Sequence, residues 1–105
     1  MNKTLGLLTI CKKAGKLIMG MDPVKDACNS FKAICVLVTT DISDKSLKEA
    51  KFVCRNNQLP LLKLDVDMEE VWASLGRKSA IIAVCDEGFA RKLFSMLPTM
   101  DTERK

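Results

Sequence analysis

The chain of 105 residues contains no histidine. That absence excludes a Ser-His or Cys-His nucleophilic pair, an imidazole metal ligand and an imidazole proton shuttle. Also missing are a C-x-x-C pair, a G-x-G-x-x-G turn, a Walker loop and any internal repeat, so the common metal, dinucleotide and nucleotide motifs are absent. The paired carboxylates Glu69-Glu70 and Asp86-Glu87 stand at expected helix starts, where the helix dipole favours them, and read as structural. No catalysis, cofactor or metal is expected. No apolar run approaches the length of a membrane span, and residues 1–20 carry Lys12, Lys13 and Lys16 inside their apolar stretch, unlike a signal peptide. A soluble protein without membrane contact follows.

Five cysteines are present but scattered: Cys11, Cys28, Cys35, Cys54 and Cys85. Each lies in an apolar or helical segment, where a free thiol behaves as a small hydrophobe, which points to the reducing cytoplasm. A chain of this length buries roughly 60–70% of its unfolded surface and needs no staple. One domain over residues 1–98 is expected, with residues 99–105 as a flexible tail after Pro98 and a monomer as the default state.

Charge is uneven along the chain. Residues 1–40 hold six lysines against Asp22 and Asp26, while residues 41–105 hold eleven basic and eleven acidic side chains, so the net charge of +4 sits in the first forty residues. A basic patch of this kind suits a polyanion, because each phosphate it neutralises releases counterions.

The patch surrounds Gly20-Met21-Asp22-Pro23-Val24-Lys25-Asp26-Ala27, directly after the apolar run Leu17-Ile18-Met19. Gly20 permits a turn, Asp22 is a good N-cap and Pro23 suits the first helical position. A strand is therefore expected to end where a helix begins, with free backbone N–H groups at the positive end of the helix dipole, ready for an anion.

Periodicity places the remaining elements. Leu7, Ile10, Cys11 and Ala14 form one helical stripe closed by Gly15. Residues 33–39 and 80–85 are continuously apolar, the pattern of strands covered on both faces. Ser43 caps a helix with Leu47, Ala50, Val53 and Cys54 inward, and Pro60 precedes a modest, less buried strand over residues 61–64. Asp67 caps a helix with Met68, Val71, Trp72 and Leu75 inward, closed by Gly76. Trp72 is expected in the core rather than as a base-stacking platform, since stacking residues stand on loops or open sheet faces. Asp86 caps the last helix, with Phe89, Ala90, Leu93, Phe94 and Leu97 packing. Alternating strands and helices give an α/β fold, a three-layer α/β/α sandwich around a four-stranded mixed sheet. The turns at residues 20–22, 40–43 and 76–79 are expected to share one face.

With these elements placed, residues 5–97 resemble the ribosomal-protein family named for L-seven-Ae, and within it the small bacterial YlxQ-type members. The matching pieces are Leu5-Gly6-Leu7 through Lys12-Lys13-Ala14-Gly15-Lys16-Leu17, Gly20 with its helix start, Val36-Leu37-Val38 with Asp41 after it, and Ala83-Val84-Cys85-Asp86-Glu87-Gly88-Phe89-Ala90. The resemblance implies an α/β/α fold, no catalysis, and an RNA partner: a kink-turn whose sheared G·A pairs meet the glycine junction and whose flipped-out nucleotide meets the loop before the last strand. It implies ribosomal RNA or the ribosome as the setting. The RNA-binding residues expected are Lys12, Lys13, Lys16, Gly20, Met21, Asp22, Lys25, Arg77 and Lys78.

Kink-turn binders of the family follow the glycine with a small or polar residue, asparagine and glutamate, then a lysine three residues on. This chain has Met21, Asp22, Pro23 and Asp26 there. Asp22 accepts but does not donate hydrogen bonds, Pro23 removes a carboxylate acceptor, and Asp26 reverses a phosphate-facing charge that Lys25, about 100° round the helix, does not replace. Trp72 and Ala73 stand where a glycine and a basic residue are common. The alternative these departures support is a protein-interaction module that keeps the fold without specific kink-turn recognition.

Overall fold

A computed structural model describes residues 2–102. The elements in chain order are α1 (Lys3–Lys13), β1 (Leu17–Met19), α2 (Met21–Asn29), β2 (Cys35–Val38), α3 (Asp44–Asn56), β3 (Leu61–Lys63), α4 (Met68–Leu75), β4 (Ile81–Val84), α5 (Glu87–Met96) and β5 (Thr99–Met100). The strands form one mixed sheet in the order β1-β4-β2-β3-β5, with β2 parallel to β3 and the other pairs antiparallel. As their uninterrupted apolar runs require, β2 and β4 are buried at every position and lie inside the sheet.

Side chains alternate across a strand, so each strand feeds both faces. Cys35 and Leu37 of β2 join a core cluster with α1, α4 and α5, through Leu8, Val71 and Leu93. Val36 and Val38 join a second cluster with α2 and α3, through Val24, Ala27, Ala50 and Val53.

The sheet has five strands, not four. Thr99 and Met100, expected in a flexible tail, pair antiparallel with Leu62 and Leu61, and the Lys63 N–H donates to the Pro98 carbonyl at 3.0 Å. They cover the outer edge of β3, whose Leu61 and Leu62 are wholly buried where a less buried strand is expected, Lys63 alone being exposed. Residues 103–105 of that stretch lie outside the described residues.

Three helices depart from the inward faces expected, α5 by leaving Phe94 41% exposed. On α1 the buried residues are Thr4, Leu5, Leu8 and Cys11, while Ile10 is 59% exposed. On α4 only Val71 and Leu75 are buried, and Trp72 is 52% exposed. Trp72 is thus not a core residue: it sits about 100° round the helix from Val71, which packs inward.

Burial sets the chemistry of the thiols. Desolvation is the leading cause that pushes Cys11 and Cys28 up to about 11, and Cys35 and Cys54 up to about 12, from an ordinary 9.0. A raised thiol pKa means that the folded state holds its proton more tightly than the unfolded chain. The stability this contributes is complete below pH 9 and is lost as pH rises through 11 and 12. Denaturant midpoints should therefore drop on the alkaline side, and at about pH 8 iodoacetamide should label the partly exposed Cys85 well before the four buried thiols.

Candidate nucleic-acid interface

Strand directions bring three turns to one end of the sheet. The chain leaves β1 and β2 at the end where it enters β4, so Gly20, Ile42 and Ala80 become neighbours. They line a groove of about 390 Å³ together with Met21, Ser46, Met68, Lys78, Ser79 and Ile81. The turns at residues 20–22, 40–43 and 76–79 thus share a face, as the sequence suggests.

Three of the groove residues stand in the first turns of helices: Met21 of α2, Ser46 of α3 and Met68 of α4. Three positive dipole ends therefore converge there. Their backbone donors differ. On α3 the Ser46 N–H donates to the Ser43 hydroxyl at 3.2 Å. On α4 the Met68 N–H donates to Asp41 at 3.1 Å, and Asp67 and Glu70 form a reciprocal capping box. α1 and α5 are capped by Asn2 and Asp86. Among the described residues α2 alone has no side-chain cap.

The cap of α2 is Gly20 itself, at φ 99 and ψ 147. The Val24 N–H donates to the Gly20 carbonyl at 3.0 Å, so the helix starts two residues earlier than an Asp22 cap would set it, and Pro23 becomes the third helical residue. Its missing N–H still costs nothing in the first turn. The Gly20 N–H is engaged by the Ser79 hydroxyl at 3.1 Å and the Ile81 carbonyl at 3.3 Å. The N–H groups of Met21 and Asp22 have no partner among the described residues. Two backbone donors are thereby left open at the start of α2, where Met21 lines the groove.

Ser79 locks this junction. Buried, it donates to the Ile81 carbonyl at 2.6 Å while accepting from Gly20, so one hydroxyl ties the β1–α2 turn to the start of β4. Arg77 reaches back to the same glycine: its Nη2 would stand 3.3 Å from a Cβ built on Gly20. Lys78 lines the groove, and its ammonium lies 5.9 Å from the centroid of the Trp72 ring.

The other expected RNA-binding residues are dispersed. Lys12 donates to the Leu75 carbonyl and so fastens the end of α1 to the end of α4, just before Arg77. Lys13 is exposed in the last turn of α1. Lys25 is ion-paired to Glu49 at 2.7 Å, a hydrogen bond that holds its ammonium above the usual range. Asp22, at the open end, is exposed. Lys16 lies at the far end of the sheet, where its carbonyl accepts from the Cys85 N–H. Burial raises the Cys85 thiol there, and Lys16 and Lys32 both act to lower it. Ile42, Ser46 and Ser79 carry no functional signal in the sequence, and Met68 is expected only in the inward stripe of its helix; Asp41, which accepts from the Met68 N–H, does belong to the family resemblance.

No family model matches the chain. It is 32% identical over 92 residues to the RNA-binding protein YlxQ of Bacillus subtilis (strain 168), covering 87% of this chain and 91% of that protein. It is 28% identical over 90 residues to the RNA-binding protein YlxQ of Enterococcus faecium, covering 86% of each. A solved structure of a protein of unknown function from Bacillus halodurans C superposes with a TM-score of 0.83 at 25% identity, over 91% of this chain and 97% of that one. From the first of these likenesses, which runs through both walls of the groove, the chain belongs to the YlxQ family.

Proposed function

We propose that this protein binds structured RNA at the groove between the Gly20, Ile42 and Lys78 turns, and that the kink-turn of the L-seven-Ae family is the RNA shape it fits. The observation that carries the reading is the start of α2, which alone among the helix starts at the groove has no side-chain cap, so that its positive end with the open Met21 and Asp22 N–H groups is not met by an oxygen of the protein's own side chains, as those of α3 and α4 are by Ser43, Asp41 and Asp67. Its relatives are named RNA-binding proteins.

The division of labour follows from the charges. Asp22 and Asp26 are exposed on α2, and Lys25 is already paired, so α2 approaches the RNA through its backbone rather than its side chains. Arg77 and Lys78, on the facing turn, supply the phosphate contacts and Lys12 holds that turn in place. Ribosomal RNA is the proposed setting, with no catalytic step and a cytoplasmic location.

A gel-shift titration tests this with two RNAs of equal length, a kink-turn stem and an unrelated stem-loop. The kink-turn should bind about ten-fold or more tightly, with both affinities falling steeply as salt rises. Equal affinities would leave general RNA binding standing and remove the kink-turn. Absence of binding to both would favour the protein-interaction reading.

A further inference from the structure

We infer that Trp72 is a stacking platform for an unpaired nucleobase of the bound RNA, an inference that rests on the RNA-binding reading above. The side chain is half exposed although it belongs to a short helix whose Val71 and Leu75 are buried. Its position joins it to the groove: Lys78 lines the groove with Gly20 and Met21, and the same ammonium lies 5.9 Å from the indole centroid. One flexible cation thus spans the phosphate-binding wall and the aromatic surface.

That combination suits a nucleotide rather than an isolated anion or an apolar side chain. A base needs a flat π surface, and the phosphate attached to it needs a cation one side chain away. Trp72 supplies the first, while Lys78 and Arg77 supply the second. The charge around Trp72 also sets the direction of approach. Glu69, one turn earlier on the same side of α4, would repel a phosphate, whereas the following turn is basic. The base therefore enters from the Arg77 and Lys78 side, continuous with RNA lying on the Gly20 turn. An unpaired base is required because a base inside a duplex has both faces already stacked.

The chain provides its own reporter. Trp72 is the single tryptophan, and there is no tyrosine to mask its emission. The test uses an RNA hairpin with one unpaired bulged adenosine and the same hairpin with the bulge deleted, titrated by gel shift and by tryptophan emission. The bulged hairpin should quench the emission strongly and the paired one weakly. Trp72→Ala should weaken binding of the bulged hairpin by about ten-fold with little effect on the paired one, and Trp72→Phe should recover part of the loss. Thermal unfolding of the variants checks that the fold is kept, and the emission change of the unaltered protein stands independently of them. Binding of the bulged hairpin with unchanged emission, or with Trp72→Ala equal to the unaltered protein, overturns the stacking role and leaves the RNA groove intact. Failure of both hairpins to bind overturns the two together.

Discussion

Replacing Gly20 by alanine is expected to lower the unfolding free energy by about 2 kcal/mol and to weaken RNA binding at least ~10-fold. At φ 99 and ψ 147 the backbone occupies a region open to glycine and costly for any residue with a Cβ. The added carbon would stand 3.3 Å from Arg77 Nη2 and 3.5 Å from Pro23 Cδ. Arg77 can swing aside and the approach to Pro23 is ordinary contact, so the cost lies in the backbone torsions rather than in space. Relaxation of the Gly20 torsions would turn its N–H away from Ser79 and Ile81, or re-aim the Met21 N–H that the groove presents. Stability and binding should therefore fall together. Gly15→Ala is the control, since Gly15 also has a positive φ of 73 but nothing within 4 Å of an added Cβ. It adjoins Lys16 at the opposite end of the sheet, and should cost about 1 kcal/mol with RNA binding unchanged. Urea unfolding read beside the gel shift separates the two variants.

The double reversal Arg77→Glu with Lys78→Glu is expected to reduce RNA affinity by about 100-fold and to lower the slope of log affinity against log salt by roughly 1.5–2, the share of two phosphate contacts. Both residues are exposed, so folding should be little affected. Reversal of Lys16 and Lys32 makes the same change in net charge at the other end of the sheet, beside Cys85. It should alter affinity several-fold at low salt and hardly at all at high salt, where distant charges are screened. Salt titrations of both double variants measure the difference. Equal losses would mean that the net charge attracts RNA without regard to the groove.

Much of the fold is readable in the chain because local chemistry and global position agree. The runs over β2 and β4 leave no polar face, so their place inside the sheet follows directly. Ser43, Asp67 and Asp86 carry their caps in their side chains, and each is found at its helix start. The start of α2 lies two residues before the one that Asp22 suggests because its cap is a backbone conformation, which leaves no side-chain mark apart from glycine. β5 escaped because two residues are too few to show an alternation; only the edge of β3 creates the need for it.

The misplaced faces share a cause. On α1, two stripes share Cys11 at helical spacing, and the buried one includes Thr4, which a purely apolar template passes over. On the eight-residue α4, Val71 and Leu75 suffice for the inward face, and an apolar neighbour at the next position cannot be told from them by periodicity. For the groove, sequence showed the glycine turn and the basic turn but not their meeting, because the antiparallel pairing of β1 with β4 brings residues about sixty positions apart into contact. The clustering of lysines in the first forty residues was a weaker guide: in space Lys12, Lys16 and Lys25 point to three different tasks.

In the proposed complex the open N–H groups of Met21 and Asp22 grip the RNA backbone. Amide chemical shifts of the isotope-labelled protein, followed as a kink-turn stem is added, address those two atoms directly. The Met21 and Asp22 signals should move or broaden first and furthest, with those of Arg77 and Lys78 close behind, while the capped amides of Ser46 and Glu70 move less. Saturating RNA that leaves Met21 and Asp22 in place while shifting signals around Lys16 and Lys32 would contradict the account.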